Sequence, residues 1–293
     1  MMIQNVQTFL RRIGLAVIAV LFFTGAGFAE ENTAEKYLFR YKFCVGDVLK
    51  WNVVSQINML TTKSGEREFT ETYSGSTKVW KVLEVDENGT AILEYSISDV
   101  DMKNKTSLGA EEKTYNSKTD DKPAPEFHDV AEAIGKPLAH FTINTRGELL
   151  KKVRKFKYAD SAEENRITIP TPENPIALGE SWDYPKEIML PQKDGTVKKI
   201  AIRERYTLKS VKNQIATFDF KTIVLTPLTD DRESQMQILA KIKNGTIQFD
   251  MKNGCSIRQQ LDVDRSVVNP PQMRQGSVTY KSRFIEKYLR EEN

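Results

Sequence analysis

The pair Asn88-Gly89 separates two long runs, 69–85 and 90–100, in which large or β-branched residues recur at every second position. Asn-Gly tolerates positive φ at both central positions of a two-residue turn, so it reverses a strand directly onto itself. A period of two sends alternate side chains to opposite faces of a strand. The same grammar fills most of the chain. Further turns are expected at 63–66, 144–147, 193–195, 212–214 and 252–254, with strands at 37–43, 48–60, 182–190, 198–211, 215–220 and 277–289. Residues 141–150 and 247–257 each read as a hairpin. In run 69–85, Tyr73, Val79, Leu83 and Val85 share one parity and predict its apolar face. The fold expected is mainly β, with large antiparallel, curved sheets (half-barrel or sandwich) and a few short helices in loops. Residues 101–125 lose periodicity and read as a long solvated loop. Residues 127–134, stopped by Gly135, and 160–165 predict short helices, and 229–239 is weakly amphipathic.

The order of these elements occurs twice. Phe43-Cys-Val-Gly-Asp-Val-Leu-Lys-Trp51 and Pro175-Ile-Ala-Leu-Gly-Glu-Ser-Trp-Asp-Tyr184 both place a Gly-acid pair before a strand of alternating bulky residues. This predicts a first β-rich half over 37–169 and a second over 170–293, preceded by a signal peptide at 1–29 and a disordered tail at 30–36. Trp51 and Tyr184 are both expected to be buried.

Arg11-Arg12, the short apolar core 13–23 and the small residues Gly25 to Ala29 form a secretory leader cleaved after Ala29. The expected location is therefore periplasmic or extracellular. No later stretch is long and apolar enough to span a bilayer as a helix. A net charge of +3 on 293 residues gives no footprint for nucleic acid.

The Gly-acid starts, the Asn-Gly hairpin and the Phe-x-x-x-x-Gly hairpin in tandem resemble a group of exported bacterial β-rich proteins with two tandem similar halves. In architecture alone, long curved antiparallel strands with helical loops over one face are similar to periplasmic lipoprotein carriers of the LolA/LolB type. That resemblance implies a sheet with a covered concave face and assigns no residue.

Chemistry-bearing residues are sparse. His128 and His140 are the only histidines and Cys44 and Cys255 the only cysteines, so no zinc-ligand spacing arises and no metal or cofactor is expected. Export permits a disulfide between Cys44 and Cys255, which by the chain-entropy model would contribute ~5 kcal/mol; two buried free thiols are the alternative. No nucleophile elbow or Ser-x-x-Lys motif is present. Asp99 with Asp101 and Asp262 with Asp264 lie two apart on predicted strands, as solvated strand ends or as paired acids for a hydrolase. The basic run 151–157 reads as an edge strand whose lysines block edge-to-edge pairing.

The aromatic residues are the remaining lead. Trp51, Trp80, Trp182, Tyr184 and Phe220 fall in strands; they either fill a solid core or line an apolar groove beneath the turns at 127–134 and 229–239. The leading expectation is a non-enzymatic exported binding protein for an apolar small molecule, a lipid or another envelope protein. A structural or interaction protein with a solid core and a carboxylate-dependent hydrolase are the alternatives.

Overall fold

The computed structural model describes residues 35–107, 111–157, 168–229, 231–270, 273 and 275–290. The leader, the proposed cleavage site at Ala29 and the helix expected at 160–165 lie outside the described residues. Among the described residues there are fourteen strands. They are β1 (Lys36–Tyr37), β2 (Val48–Lys63), β3 (Glu66–Val85), β4 (Ala91–Thr106), β5 (Lys113–Asn116), β6 (Ala139–Ile143) and β7 (Leu149–Arg154). After them come β8 (Ile176–Ala177), β9 (Ser181–Pro191), β10 (Val197–Lys212), β11 (Ile215–Val224), β12 (Asn244–Asp250), β13 (Cys255–Val268) and β14 (Gly276–Tyr288). The helices are α1 (His128–Ala133) and α2 (Arg232–Ile238), each adjoined by a single 3₁₀ turn.

β1 and β8 pair only with each other. The other twelve strands form one antiparallel sheet, curved but not closed, in the order β7-β6-β4-β3-β2-β14-β13-β12-β11-β10-β9, with β5 also on β4. The mainly β, curved and open architecture expected from the sequence is the one observed. β7 and β9 are the two ends. β7 carries Lys151, Lys152 and Arg154, and β9 carries Pro185 and Pro191. Charge and missing N–H groups both discourage pairing with another chain.

The two predicted halves share one sheet, because β2 pairs with β14. Their local geometry also matches. Gly46 N donates to Val82 O (2.9 Å), and Val82 N donates to Asp47 O (2.9 Å). In the second segment Gly179 N donates to Leu208 O (2.8 Å), and Leu208 N to Glu180 O (2.9 Å). Each acid also accepts from the backbone three residues earlier, Cys44 N to Asp47 (3.2 Å) and Ala177 N to Glu180 (2.9 Å). Gly46 and Gly179 hold φ of +93° and +83°, a region that a Cβ disfavours, so glycine is required at both. A register shift follows Val82 in β3 and Leu208 in β10, and another follows Thr142 in β6 and Gln248 in β12. The turns expected at 86–89, 212–214, 144–147 and 252–254 are formed, with turn residues at 87–88, 213–214, 145–146 and 251–254.

The main core is aromatic and draws on β2, β3, β4 and β6 together with β10, β11 and β12. Trp80 packs on Tyr95 (4.7 Å between ring centroids) and Phe141 (4.9 Å), and Phe39 meets Phe218 edge-on (4.9 Å). Packed apolar rings of this size dominate core energetics. Three expectations change. Residues 38–43 are extended, with Phe39, Tyr41 and Phe43 buried, but form no strand. Their N–H groups bond to turns instead, Tyr41 to Thr145 O and Lys42 to Gly254 O, one turn from each half. In β3 the inward parity is that of Lys78, Trp80 and Val82, not that of Tyr73 and Val79. The register shift between Val82 and Glu84 then brings Val85 back toward the core, as a β-bulge does. Finally, residues 101–106 continue β4 and 113–116 form β5, so the loop is shorter than 101–125. The long β3 offers backbone partners out to Thr70, and β4 takes them.

Candidate ligand cavity on the concave face

A partly open cavity of about 360 Å³ lies on the concave side of the sheet. Nine strands contribute to it, mostly at a spacing of two. β2 supplies Val53, Ser55 and Ile57, β3 supplies Ser74, Ser76 and Lys78, and β4 supplies Tyr95 and Ile97. Across the cavity β9 supplies Lys186 and Ile188, and β10 supplies Ile202, Glu204 and Tyr206. β11 adds Phe220 and Thr222, β12 Ile247, and β13 Gln259 and Leu261. β14 completes the wall with Tyr280, Ser282 and Phe284. Inward parity decides most of the membership, as the pleat requires; Glu187 of β9 and the loop residues Thr168, Ile169 and Lys243 also line it.

The wall contains buried charge. Lys78 and Glu286 are 4% and 3% exposed, and the Lys78 Nζ to Glu286 Oε1 distance is 3.4 Å. Gln259 donates its side-chain amide to the other oxygen of Glu286, and Lys78 lies over the Phe284 ring (5.4 Å). A second cluster joins Lys186 to Glu204 (2.5 Å), while Tyr206 Oη donates to Glu204 Oε2 (3.0 Å). Charges removed from water in this way need partners, and both carboxylates have them. Tyr95 differs. It is 2% exposed, and its hydroxyl has no hydrogen-bond partner among the described residues. Burial, reinforced by the charge of Glu286, raises its pKa above the ordinary phenol range, so it stays protonated.

α2 and the 3₁₀ turn after it roof one part of the cavity through Ala240 and Lys241. Asp231 caps α2 by accepting from Ser234 N (2.9 Å), and Lys198 pairs with the same carboxylate. That pairing, with the cap, lowers Asp231 to about 2. Within 229–239, Ile238 packs on Leu190, Ile200 and Ile202 of β9 and β10, while the cavity itself is reached just beyond that segment, by Ala240 and Lys241. α1 does not line the cavity and packs in a separate cluster with Val100, Tyr115 and Phe127.

Of Trp51, Trp80, Trp182, Tyr184 and Phe220, the residues expected to line a groove, Phe220 lines the cavity. Trp51 is buried, its Nε1 donating to Ser256 O (3.2 Å), and Trp80 is fully buried in the core. Trp182 stacks on Tyr206 and donates to Pro170 O (2.8 Å). Tyr184 is half-buried rather than buried, because β9 is the last strand and has a neighbour on one side only. The tryptophans therefore belong to the core, and the rings that line the cavity are Tyr95, Tyr206, Phe220, Tyr280 and Phe284. The groove residues missed from sequence are serines, lysines and glutamates at inward positions. Counting parity from Trp80 would have exposed Lys78 and Ser76.

The disulfide is not formed. Cys44 is exposed and Cys255 buried, and both thiols are free. Two bonded sulfurs share one environment about 2 Å apart, which this pair does not. Burial pushes the Cys255 thiol up to about 11. Asp99 is paired with Lys118 (3.2 Å), Asp262 with Arg283 (2.8 Å) and Asp264 with Lys281 (3.1 Å). His140 sits 3.4 Å from Glu94, and His128 is exposed. No cluster of three or more metal-ligating side chains occurs among the described residues.

No protein-family model and no curated protein sequence matches the chain. Among solved structures, lipovitellin, described for its lipid–protein interactions, is similar in fold. The TM-score is 0.52 at 11% identity over 85% of this chain and 26% of that one. The chain spans about a quarter of the length of lipovitellin. The translocator domain of the autotransporter NalP from Neisseria meningitidis matches 84% of this chain and 90% of its own at 5% identity, with a TM-score of 0.29. A DUF1329 family protein from Desulfovibrio piger matches 81% and 83% at 12% identity, with a TM-score of 0.14. The last two scores support no conclusion about fold.

Among the described residues no helix is long and apolar enough to cross a membrane.

Proposed function

We propose that this chain is an exported, non-enzymatic binding protein that holds a small, largely apolar ligand in the concave cavity of its sheet. The observation that carries the reading is the cavity itself, about 360 Å³ and lined at alternate positions from nine strands. Its volume falls at the lower end of the ~300–1,000 Å³ typical of small-molecule sites. The leader at 1–29 supports export. The fold-level likeness to lipovitellin agrees with a lipid-like ligand, as analogy only. The protein partners of Glu204 and Glu286 support binding over acid–base chemistry, because their oxygens are already engaged. The matching turn and bulge geometry of the two segments supports two copies of one strand meander.

The test is titration with an uncharged environment-sensitive naphthalene dye. Binding should be saturable with one site. Ser76→Phe, which projects a ring into the cavity from β3, should abolish it without lowering the Tm. A dye that does not bind, or that binds Ser76→Phe equally well, refutes the reading.

A further inference from the structure

The cavity is two-sided, and the division points to the class of ligand. Ser74 and Ser76 of β3, Ser55 of β2 and Ser282 of β14 all line it. These strands are adjacent in the order β3-β2-β14. Ser55 lies directly opposite Ser74 in the register, while Val53 and Ile57 of β2 face Ser76 and Ser282. The four hydroxyls therefore form one contiguous patch, since directly opposed and diagonal positions lie ~5–8 Å apart on a sheet face. All four serines are half-buried, and none makes a side-chain hydrogen bond among the described residues. An inward face of a curved sheet is ordinarily apolar. Four small hydroxyl residues there both leave the space empty and line it with donors and acceptors.

The opposite wall carries more hydrocarbon: Ile188, Ile202, Phe220, Ile247 and Leu261 come from β9 to β13 in succession, beside the paired Lys186 and Glu204 and the polar Glu187, Thr222 and Gln259 of the same strands. The buried cations on both walls are matched locally, Lys78 by Glu286 and Lys186 by Glu204. The polar patch itself is uncharged. At about 360 Å³ the cavity sits at the lower end of the ~300–1,000 Å³ range of small-molecule sites, which suits one short chain better than two.

We propose that the ligand is a single-chain neutral amphiphile, with a hydroxyl- or ester-bearing head on Ser55, Ser74, Ser76 and Ser282 and its hydrocarbon on the wall from Ile188 to Leu261. The inference rests on the cavity being a binding site, the reading given above. It goes further in assigning an orientation, a head charge and a chain number.

The test uses the full mature protein and a series of 1-monoacylglycerols from hexanoyl to tetradecanoyl, read by displacement of the naphthalene dye. Affinity should rise about 4-fold per methylene and then flatten within the series, as the enclosed volume fills. The triple variant Ser55→Ala, Ser74→Ala, Ser282→Ala removes three hydroxyls with little change in volume. It should weaken decanoylglycerol by at least about ten-fold, on the order of the value of two neutral hydrogen bonds. Dye affinity should stay unchanged, which also reports that the variant is folded. Equal loss for dye and monoacylglycerol, or no loss for either, overturns the head assignment. Decanoate binding tighter than decanoylglycerol overturns the neutral head, by making Lys241 and Lys243 at the cavity the determinants. Didecanoylglycerol binding as tightly as the single-chain ligand overturns the chain number. Failure of the dye to bind the unmodified protein instead removes the underlying reading.

Discussion

Two buried tyrosines on the cavity wall should respond oppositely to loss of their hydroxyls. Tyr95 is 2% exposed and its hydroxyl has no partner among the described residues, whereas Tyr206, equally buried, donates to Glu204 at 3.0 Å. An unsatisfied buried polar group costs about 1–3 kcal/mol. Tyr95→Phe removes that cost and leaves the ring contacts with Trp80 and Phe141 intact. After allowance for the small void, the ligand-free protein should gain about 1 kcal/mol. In a protein of this size that raises the Tm by roughly 2–4 °C. Tyr206→Phe withdraws a donor from a buried carboxylate and should cost about 1.5–3 kcal/mol. Urea unfolding of ligand-free protein measures both, with unchanged m-values certifying the comparison. If Tyr95→Phe is destabilising, the hydroxyl has a partner in the folded state and the account of this wall is wrong. If both variants lose stability equally, hydrogen-bond satisfaction does not distinguish the two sites.

Lys78→Met strands Glu286 in the interior and should cost about 3–5 kcal/mol; the double variant Lys78→Met, Glu286→Leu should recover most of it, as measured by urea unfolding. Asp231 has a depressed pKa, so its contribution to stability is full above the ordinary carboxylate value of about 3.9 and is lost as pH falls toward about 2. Asp231→Asn should therefore lower the Tm at neutral pH, with the two curves converging near pH 2; a constant offset across the whole acid range would contradict the assignment. With a thiol-reactive chromophore, Cys44 should react promptly in the native protein and Cys255 only on unfolding, because Cys255 is buried and titrates near 11. Two equally fast thiols, or none before reduction, would contradict the placement of this pair.

Local grammar settled much of the fold. Gly46 and Gly179 need positive φ; Gly89 takes it but Asn88 does not, so the reversal there spans 86–90 instead of two residues; Gly135 follows the end of α1 at positive φ, and each acts through its own backbone preferences. Such signals are short-range, so they are legible along a chain, and the parallel order of the two segments was legible with them. Parity along β10 was also clear, because Ile200, Ile202, Tyr206 and Leu208 leave no rival face. Along β3 both faces carry bulky residues, and only the neighbours decide: Trp80 turns inward because it stands opposite Leu49 on β2 and Tyr95 on β4. The site depended on that choice. Ser55, Ser74, Ser76 and Ser282 are ordinary strand serines in sequence, far apart in number, and become one surface only when β3, β2 and β14 lie side by side. Lys78 and Glu286 are likewise unremarkable until long-range pairing buries both. The sequence alone therefore determined strands, turns and their order, which follow from local preference. The tertiary structure decided which face is concave, which aromatics become core, and which polar residues meet across the cavity, because those depend on register between strands more than two hundred residues apart.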